Sequence, residues 1–454
     1  MESATESTES AEFLARLNAA LERLPLPGRS PRYAVALSGG VDSMVLLVAM
    51  QRLAGESRVV AFHVDHGLNP QSERWAELCA RAAGALGVAF HSTRVTISDP
   101  AVHGGVEAAA REARYRALAE LMSAGDVLLT AHHGDDQLET LLLRMLRGSG
   151  VRGLTGIHEQ SVFGPGFLAR PMLDFTRAEV AAQALRWNLA WIDDPANEAL
   201  RFDRSFLRAR VLPALRERWP AAQRAAARLA RQMAEAEQLL EEVAADDARD
   251  VVDLHRIPCV RVRALTPARQ ANLLRFVIRT LDLPMPSSVH LEQLRDAIVR
   301  EHAGGLAQVS WPGAAARVYR EHVYLLATEA REPRRLSAGE LAVGREWRGP
   351  TGSLRLVPAD EIGFSDDWAR SGIDVRFRSG GERFRPANHR HSKTLKHWFQ
   401  ENGVVPWMRD RIPLLFRQGT LVGVADLWIS EEAQSASARG PKWRAEWTGH
   451  PPVR

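Results

Sequence analysis

The sequence predicts an α/β protein with a parallel-sheet N-terminal domain, a helical middle domain and a small α/β C-terminal domain. Residues 30–215 alternate short apolar runs with helical patterns, which is typical of a parallel sheet with helices on both faces. Residues 216–330 are rich in helix-forming side chains, whereas residues 336–430 combine strand-like runs with glycine-rich turns and many arginines. We expect residues 1–29 to form a flexible lead-in and a first helix, and residues 431–454 to form a loose tail.

Composition narrows the class of protein. A chain of 454 residues with 45% hydrophobic and 25% charged residues is ordinary for a globular protein of two or three domains. The pI of about 9.4 favours a polyanionic partner. No apolar run approaches the about 18 residues of a membrane span, and the acidic N-terminus is unlike a signal peptide. Cys79 and Cys259 form no CxxC pair, which argues against disulfide and cysteine–metal scaffolds, so we expect a reducing cytoplasm.

The elements follow from hydrophobic periodicity. Apolar runs predict buried strands at residues 33–37, 59–64, 89–95 and 126–130. Helical spacing predicts intervening helices at residues 44–50, 71–86 and 106–124. In the middle domain the same spacing predicts helices at residues 219–252, 267–281 and 287–301. Ligands of such sheets bind at the carboxyl ends of the strands.

The segment after the first strand has the composition of an anion-binding loop, Ser38-Gly39-Gly40-Val41-Asp42-Ser43. A strand, a glycine turn and a helix start gather backbone N–H groups around one point, which suits a phosphate. Gly39 and Gly40 let a ligand approach the backbone, and the two serines add hydroxyl donors. A carboxylate in an anion cradle is explained if Mg²⁺ lies between it and the phosphates, so we assign Asp42 to the metal.

A second polar cluster follows the fourth predicted strand. Asp135 and Glu139 share one helix face, and Asp136 lies in the same first turn, directly after His132. Carboxylates in a first turn also complement the helix dipole, but here they accompany histidines in the same sheet as the loop. We therefore predict a Mg²⁺·ATP and catalytic site with Asp136 as a second metal ligand. A zinc ion held by His132 and Asp136 is the alternative interpretation.

Two further motifs are weaker. Arg111 and Arg114 share a helix face, which fits either contact with phosphates or a solvated basic surface. Residues 148–153 formally match GxGxxG, but they follow a helical run rather than a strand. These glycines are therefore expected to end that helix.

The loop at residues 38–43 resembles the PP-loop of the N-type ATP pyrophosphatases, which cleave ATP between the α- and β-phosphates. The order of the later motifs resembles that of the tRNA(Ile)-lysidine synthetase family. These motifs are residues 63–68, 107–115, 131–140, 147–154, 193–197, 204–208 and 212–213 in the first half, and 376–378, 381–384, 393–396 and 406–413 in the second. Ala196 and Ser205 depart from the family's usual DPSN and RNxxR patterns, which puts a side-chain hydrogen bond at each position in doubt.

This resemblance implies an enzyme that uses ATP and Mg²⁺ to join free L-lysine to C2 of the wobble cytidine of a tRNA(Ile) with a CAU anticodon. A cytoplasmic location and a homodimer are the corresponding expectations. Catalytic roles are predicted for Asp42, His132, Asp135, Asp136, Glu139 and Arg111. Nucleotide contacts are predicted for Ser38, Gly39, Gly40, Val41, Asp42, Ser43, His63 and Arg114. Among these roles, Asp135 or Glu139 would hold the lysine ammonium, and His132 would accept its proton.

The C-terminal region supports an RNA partner independently. Residues 370–417 contain eleven arginines and lysines against four acidic residues, with tryptophans and phenylalanines between them. Phosphate contacts and aromatic surfaces are the elements of RNA binding. RNA contacts are predicted for Arg204, Arg208, Arg378, Arg383, Lys393, Lys396, Arg409 and Arg411.

Three alternatives remain open at this point: an amidating ATP pyrophosphatase acting on a small molecule, a tRNA thiolase of the same superfamily, and a non-enzymatic RNA-binding protein. The first would leave the basic C-terminal region without a role. The second commonly needs paired cysteines that are missing here, and the third would leave the loop and the Asp/His cluster unused.

Overall fold

A computed structural model describes most of the chain in two compact units, Met1–Leu239 and Leu240–Arg454. The described residues are 2–25, 31–65, 67, 71–96, 106–193, 203–300, 306–328, 338–349, 351–360, 362–436 and 440–454, with the backbone alone at 2–7, 106–107 and 435–436. None of the helices in these ranges is long and apolar enough to span a membrane.

The first unit is built from helices and one large sheet. Its helices are α1 (Glu2–Arg23), α2 (Val41–Ala54), α3 (Ser72–Ala85), α4 (Val106–Leu121), α5 (Gly134–Leu146), α6 (Val151–Leu154), α7 (Arg177–Arg186), α8 (Asp203–Phe206) and α9 (Leu212–Arg218), with a 3-10 turn at Glu56–Arg58 and a π-helical turn at Leu207–Val211. Its strands are β1 (Tyr33–Ala36), β2 (Val59–Asp65), β3 (Ala89–Arg94), β4 (Val127–Leu129), β5 (Gln160–Phe163) and β6 (Gly166–Ala169). Helix α10 (Ala222–Ala248) contains the division between the units.

The sheet has the order β3-β2-β1-β4-β6-β5 and is parallel except for β5. Alternate residues of β1 enter opposite cores: Val35 packs with α1, α2 and α7, whereas Ala34 packs against the α4 side. The parallel pairing of these strands confirms the predicted parallel sheet and its four strands, of which β3 is a largely exposed edge. Strands β5 and β6 were not predicted, because each has only four residues and β5 is an antiparallel edge with exposed side chains.

The N-terminal helix differs from the expected lead-in. Helix α1 begins at Glu2, although the first ten residues were expected to be disordered. Phe13, Leu17 and Leu21 recur every four residues and are buried in the core of the first unit. Arg16 adds an ion pair with Glu179 on α7. These contacts anchor the helix from its C-terminal half.

The second unit combines helices with several small antiparallel sheets. Its helices are α11 (Cys259–Arg263), α12 (Pro267–Thr280), α13 (Ser288–Val299), α14 (Asp366–Ser371), α15 (Leu395–Glu401) and α16 (Glu431–Ala436), with a 3-10 turn at Pro406–Met408. Its strands are β7 (Arg256–Pro258), β8 (Ala307–Trp311), β9 (Ala314–Tyr319), β10 (His322–Ala327), β11 (Gly339–Leu341), β12 (Trp347–Gly349), β13 (Gly352–Ala359), β14 (Phe364–Ser365), β15 (Ile373–Arg376), β16 (Arg383–Phe384), β17 (Lys393–Thr394), β18 (Leu414–Arg417), β19 (Thr420–Val424), β20 (Trp428–Ile429) and β21 (Lys442–Thr448).

The middle region contains the expected helices, but it also contains a sheet that the sequence analysis missed. Strands β7-β10-β9-β8 form this sheet, and α12 and α13 pack on it through Leu273, Val277 and Leu294. Strand β9 begins with a run of alanines, a composition that favours helix, so local propensity hides it. In the C-terminal region, sheets β11-β15-β18-β19-β20 and β12-β13-β21-β14 share one core with α15.

Candidate active site

The loop between β1 and α2 is held in shape by its serines. Ser43 Oγ donates to the Gly40 carbonyl at 2.9 Å and lies 3.1 Å from Ser38 Oγ, while the Ser38 N–H donates to Ser43 Oγ at 3.2 Å. Gly39 has a φ of 86°, and a Cβ at this position would lie 2.5 Å from Cδ1 of Ile192. Only glycine therefore fits at position 39, and the first-turn N–H groups of α2 remain available to an anion.

This loop opens into a cavity of about 370 Å³ at the carboxyl ends of β1, β2 and β4. That volume lies in the range of small-molecule sites. Polar lining residues include Ser38, Gly40, Asp42, Ser43, His63, Asp65, Ser72, Arg114, Tyr115, Thr130 and His132. His63 is fixed by a hydrogen bond of 2.8 Å between its Nδ1 and the Leu37 carbonyl. The predicted loop and the strand-end histidines thus converge on one cavity.

Asp42 is the unsatisfied carboxylate of this cavity. Its Oδ1 is buried without a hydrogen-bond partner among the described residues. Burial raises the pKa of Asp42, and the facing His133 opposes the shift. An uncompensated carboxylate oxygen beside an anion loop is the arrangement expected of a ligand for a hard cation.

His133 lies at the centre of the acidic cluster. The ring is 2% exposed, with Nε2 3.7 Å from Asp42 Oδ2, and with Nδ1 3.7 Å from Asp135 Oδ2 and 3.5 Å from Asp136 Oδ2. Its backbone N–H donates to Asp136 Oδ2 at 2.9 Å, which caps α5. Sequence analysis assigned the catalytic role to His132 and overlooked His133, although both follow the same strand.

Arginines already pair with the carboxylates of α5. Glu139, 1% exposed, accepts from Arg208 through both oxygens at 2.8 and 2.9 Å. Asp135 accepts from the Arg216 guanidinium and, at 2.6 Å, from the Arg177 backbone N–H. Asp136 Oδ1 accepts a third bond from Arg208 at 3.2 Å. These pairs neutralise buried charge.

Burial alone would raise the pKa of Asp136, but His133, His132, the His133 N–H and Arg208 together lower it. Arg208 belongs to the π-helical turn, a rare geometry that is frequent at functional sites. Arg204 instead donates to Thr140 Oγ1 at 3.3 Å.

A cluster of arginines lies on the opposite wall. The guanidinium carbons of Arg111 and Arg114 lie 4.8 and 5.5 Å from the Tyr115 ring centre, and Arg111 Nη2 lies 3.4 Å from the Tyr115 hydroxyl. Burial lowers the pKa of Arg114 and of Arg170. Among the described side chains, no carboxylate forms an ion pair with Arg111, Arg114 or Arg170. This wall therefore has excess positive charge that a phosphate would neutralise.

His132 adjoins this positive wall. Its Nδ1 lies 2.9 Å from Thr130 Oγ1. Burial lowers the pKa of His132 to about 3, Asp136 opposes the shift, and Arg170, Arg111 and Arg114 add to it. The imidazole is therefore neutral at physiological pH and able to accept a proton. Arg170 was missed by the sequence analysis, yet it directly follows β6, where the strand-end rule would have placed a ligand contact.

The predicted RNA-binding residues of the second unit divide into paired and unpaired groups. Arg378 pairs with Asp410 at 2.8 Å, Lys393 pairs with Glu401 at 2.7 Å, and Arg383 donates to the Ser392 carbonyl at 2.9 Å. Arg409 bonds the Val404 carbonyl and the Tyr319 hydroxyl at 3.0 and 3.3 Å. The side chains of Lys396 and Arg411 have no such partner within the described ranges.

Part of the motif pattern cannot be placed. His66, Leu68 and residues 194–197 lie outside the described residues, as does the side chain of Glu107. Within the described side chains, no group of three or more His, Cys, Asp or Glu residues is arranged to hold a metal ion by itself. A zinc site of protein ligands alone gains no support from this arrangement.

Comparison with known proteins relates three parts of the chain to known domain families. Residues 11–215 match the PP-loop domain model, residues 257–324 the TilS substrate binding domain, and residues 373–447 the TilS substrate C-terminal domain. The tRNA(Ile)-lysidine synthase of Alkalilimnicola ehrlichii is 39% identical over 92% of this chain and 93% of its own. That of Coxiella burnetii is 35% identical over 90% and 91%.

Among solved structures, the U34-tRNA thiolase NcsA from Methanococcus maripaludis aligns with 16% identity over 50% of this chain and 80% of its own. Its TM-score is 0.42, so we infer nothing from that likeness. The sequence relatives do decide the family, because they are similar along nearly the whole chain. This chain belongs to the tRNA(Ile)-lysidine synthase family.

Proposed function

We propose that the protein forms lysidine in tRNA(Ile) at the expense of ATP. The C2 oxygen of the wobble cytidine in a CAU anticodon attacks the α-phosphate of ATP and pyrophosphate leaves; the ε-amine of L-lysine then attacks C2, and AMP leaves. The observation that carries the nucleotide half is the anion loop with an unsatisfied Asp42 in one 370 Å³ cavity with Arg114 and His132. Similarity to the curated synthases supports the choice of acceptor.

Mg²⁺ fits the residues of this cavity. The free Oδ1 of Asp42 is a hard oxygen donor, and Asp136 lies near enough to raise the pKa of Asp42 electrostatically. Mg²⁺ is usually held by one or two carboxylates together with substrate phosphates, which agrees with so few protein ligands. When bound, the ion would neutralise charge on the departing pyrophosphate. Asp42 is the principal protein ligand in this proposal, and Asp136 the second.

The remaining charged groups divide between nucleotide and amine. The backbone from Ser38 to Ser43 would bind the phosphates, and Arg111 and Arg114 would bind them from the opposite wall. His63, whose Nδ1 is held by the Leu37 carbonyl, lines the same cavity and would contact the nucleotide. Neutral His132 would accept a proton from the lysine ε-ammonium, and the resulting free amine would attack C2. An anionic phosphate beside Arg111 and Arg114 would offset their effect and make this imidazole more basic.

Sequence analysis gave Asp135 or Glu139 to the lysine ammonium, but their existing partners favour a different role. Both oxygens of Glu139 accept from Arg208, and both oxygens of Asp135 accept from Arg216 or the Arg177 N–H. Both carboxylates are buried, so breaking either pair would leave a buried charge short of a partner, which is costly. We infer that Asp135 and Glu139 are positioning residues that fix the arginines around the site.

The second unit would hold the body of the tRNA. Its exposed basic side chains, Lys396 and Arg411 among them, are suited to phosphate contacts. Arg204 lies on the first unit beside α5, so it would act near the reacting base, whereas Arg208 is held by Glu139 and Asp136 and would position those carboxylates rather than contact RNA. Thiolation is disfavoured because Cys79 and Cys259 are both buried, and burial raises their pKa values to about 12 and about 11.

Labelled L-lysine, ATP and tRNA transcripts test this proposal directly. Incorporation should require ATP and tRNA(Ile) with the CAU anticodon, release AMP, and be weak with methionine tRNA of the same anticodon. AMP release with another acceptor and no lysine in the tRNA would refute the proposal. Light scattering of the same preparation would check the predicted homodimer, and cell fractionation the predicted cytoplasmic location.

A further inference from the structure

The second unit contains a larger cavity, of about 590 Å³, that has no role in the reaction above. Its walls come from β9 and β10, from the Pro406–Met408 turn with the residues after it, and from the C-terminal segment 449–452. We call it the arginine cavity, after Arg317 and Arg411 in its lining. Its volume would hold a ligand the size of a nucleotide.

The walls of this cavity are fastened to one another. The Val405 N–H donates to the Val453 carbonyl at 2.9 Å, and Thr351 Oγ1 donates to the Arg411 carbonyl at 3.0 Å. The Trp447 and His450 rings stack at 3.9 Å, which holds the C-terminal segment against β21. Because three chain segments are tied in this way, the cavity is preformed rather than assembled by a ligand.

The charge in the lining has one sign. Two arginines and two histidines line the cavity, and none of the residues that line it is an aspartate or a glutamate. The Arg317 guanidinium lies over the Trp407 ring, 4.8 Å from its centre, and its Nε donates to Gln308 at 3.0 Å. Burial lowers the pKa of Arg317, the charge of Arg411 lowers it further, and both arginines line the same cavity.

The lining also offers a neutral donor. The indole N–H of Trp407 is buried and has no acceptor among the described residues. Two unneutralised guanidinium groups and an unused N–H beside an aromatic ring match the groups that bind a phosphate and its attached base. Two guanidinium groups that share a cavity without a carboxylate repel each other, and a bound anion would relieve that repulsion.

We propose that the arginine cavity binds one nucleotide of the tRNA, with its phosphate on Arg317 and Arg411 and its base beside Trp407. This proposal rests on the proposed function for the identity of the RNA, although the cavity and its charge do not depend on that function. It separates Arg411 from Arg409, which the sequence analysis grouped together. Arg409 is bonded to Tyr319 and Val404 and supports the wall, whereas Arg411 faces the ligand.

Arg411→Gln is the cleanest test, since the side chain of Arg411 has no described partner whose loss would disturb the fold. Filter binding of full-length tRNA(Ile) to the intact protein should weaken roughly tenfold, the usual cost of a charged hydrogen bond. The slope of log affinity against log salt should fall by about 0.7–0.9, as expected for one lost phosphate contact. In lysidine formation, KM for tRNA should rise while kcat and KM for ATP stay unchanged.

Arg317→Gln should weaken tRNA binding as Arg411→Gln does. Arg345→Gln is the matched control for both variants. Arg345 is 76% exposed in the same unit with only a long 3.8 Å contact to Glu340, so its loss should change nothing. If Arg411→Gln and Arg317→Gln bind tRNA as tightly as Arg345→Gln does, the proposal is wrong.

Binding of 5′-UMP, followed by calorimetry, separates tRNA from a free phosphorylated ligand. Loss of 5′-UMP binding in Arg411→Gln with unchanged tRNA affinity would assign the cavity to a small molecule and overturn the tRNA reading. Because these are binding measurements, they keep their meaning even if no lysine is incorporated. Failure of the proposed function would therefore be seen separately.

Discussion

The nucleotide cavity of the first unit and the arginine cavity of the second balance charge in opposite ways. In the first, the carboxylates of α5 are paired with arginines, but Asp42 keeps a buried oxygen without a partner among the described residues. In the second, arginines line the wall with no carboxylate beside them. The first site is suited to a cation that accompanies an anion, and the second to the anion alone.

The contrast between the two cavities shows that arginine content alone does not identify RNA contacts. Arg208 and Arg216 lie in the first unit with their charge already used by buried carboxylates. The charges of Arg317 and Arg411 are not neutralised by any carboxylate in the lining of their cavity. Pairing, which only the fold reveals, decides which arginines remain available to a polyanion.

Among these variants, Asp42→Asn should cause the largest loss of activity. A smaller loss would contradict the contrast drawn between the two cavities. Loss of the metal-binding carboxylate should reduce AMP and lysidine formation by about a thousandfold. Since burial raises the pKa of Asp42, its ionised form costs stability above that pKa, so the variant should unfold at a higher temperature at pH 8. Asp203→Asn, which alters an exposed carboxylate, should leave both quantities unchanged. An active Asp42→Asn enzyme would contradict the metal role.

The pair of Glu139 with Arg208 tests whether the first cavity is balanced internally. Glu139→Gln leaves the partly buried Arg208 guanidinium short of its partner and should lower the free energy of unfolding by about 1–3 kcal/mol. Urea denaturation measures this loss. Adding Arg208→Gln should recover part of it, because the unpaired cation is removed. If Glu139→Gln instead unfolds like the wild type but loses affinity for L-lysine, the carboxylate holds the amine after all.

His132 predicts a pH dependence of stability. Its pKa of about 3 lies below the ordinary histidine value of 6.5, so the unfolded chain gains the proton first as the pH falls. The stability is complete above pH 6.5 and should decline toward pH 3, by roughly 2 kcal/mol at pH 5. His132→Gln lacks this contribution, so the difference in unfolding free energy between variant and wild type should shrink between pH 7 and pH 5. A constant difference would argue against burial of a neutral imidazole.

Alanine substitutions at Gly39 and Gly40 should give the smallest change in stability among these predictions, and a clear difference between two neighbouring positions. Gly39→Ala combines a φ of 86° with a contact of 2.5 Å to Ile192, and should cost about 1–2 kcal/mol of stability and raise KM for ATP. Gly40 has a φ of −72°, and its nearest atom would be 3.6 Å away, so Gly40→Ala should be close to neutral in stability. Thermal unfolding of the two variants gives the comparison. Equal midpoints would mean that the loop relaxes around a methyl group.

The first unit was the more predictable from sequence. A glycine turn between an apolar strand and a helix, and polar residues after each strand, are local patterns, and they led to Asp42, His63 and His132. The same rule missed Arg170, because the four-residue strand before it was not recognised. It also could not choose between His132 and His133, since only tertiary contacts separate neighbours in one turn.

The second unit was less predictable because its sites depend on long-range pairing. The alanines of β9 favour a helix, and the residues that line the arginine cavity come from six separate stretches of chain. Arg317 has no local signal at all, whereas Arg411 was found only by its position in a basic region. Which of Arg409 and Arg411 stays unpaired depends on Tyr319, which comes from a distant strand.

One hydrogen bond in the first unit determines when the anion loop can complete its contacts during synthesis of the chain. The Ile192 N–H donates to the Gly39 carbonyl at 2.9 Å, and the Ile192 side chain fills the space that a Cβ on Gly39 would occupy. A nascent chain emerging from the ribosome therefore contains the whole anion loop, with the serines that shape it, long before Ile192. The bond from Ile192 to the Gly39 carbonyl can form only after that residue has emerged, so the loop gains this support well after its own serines are in place.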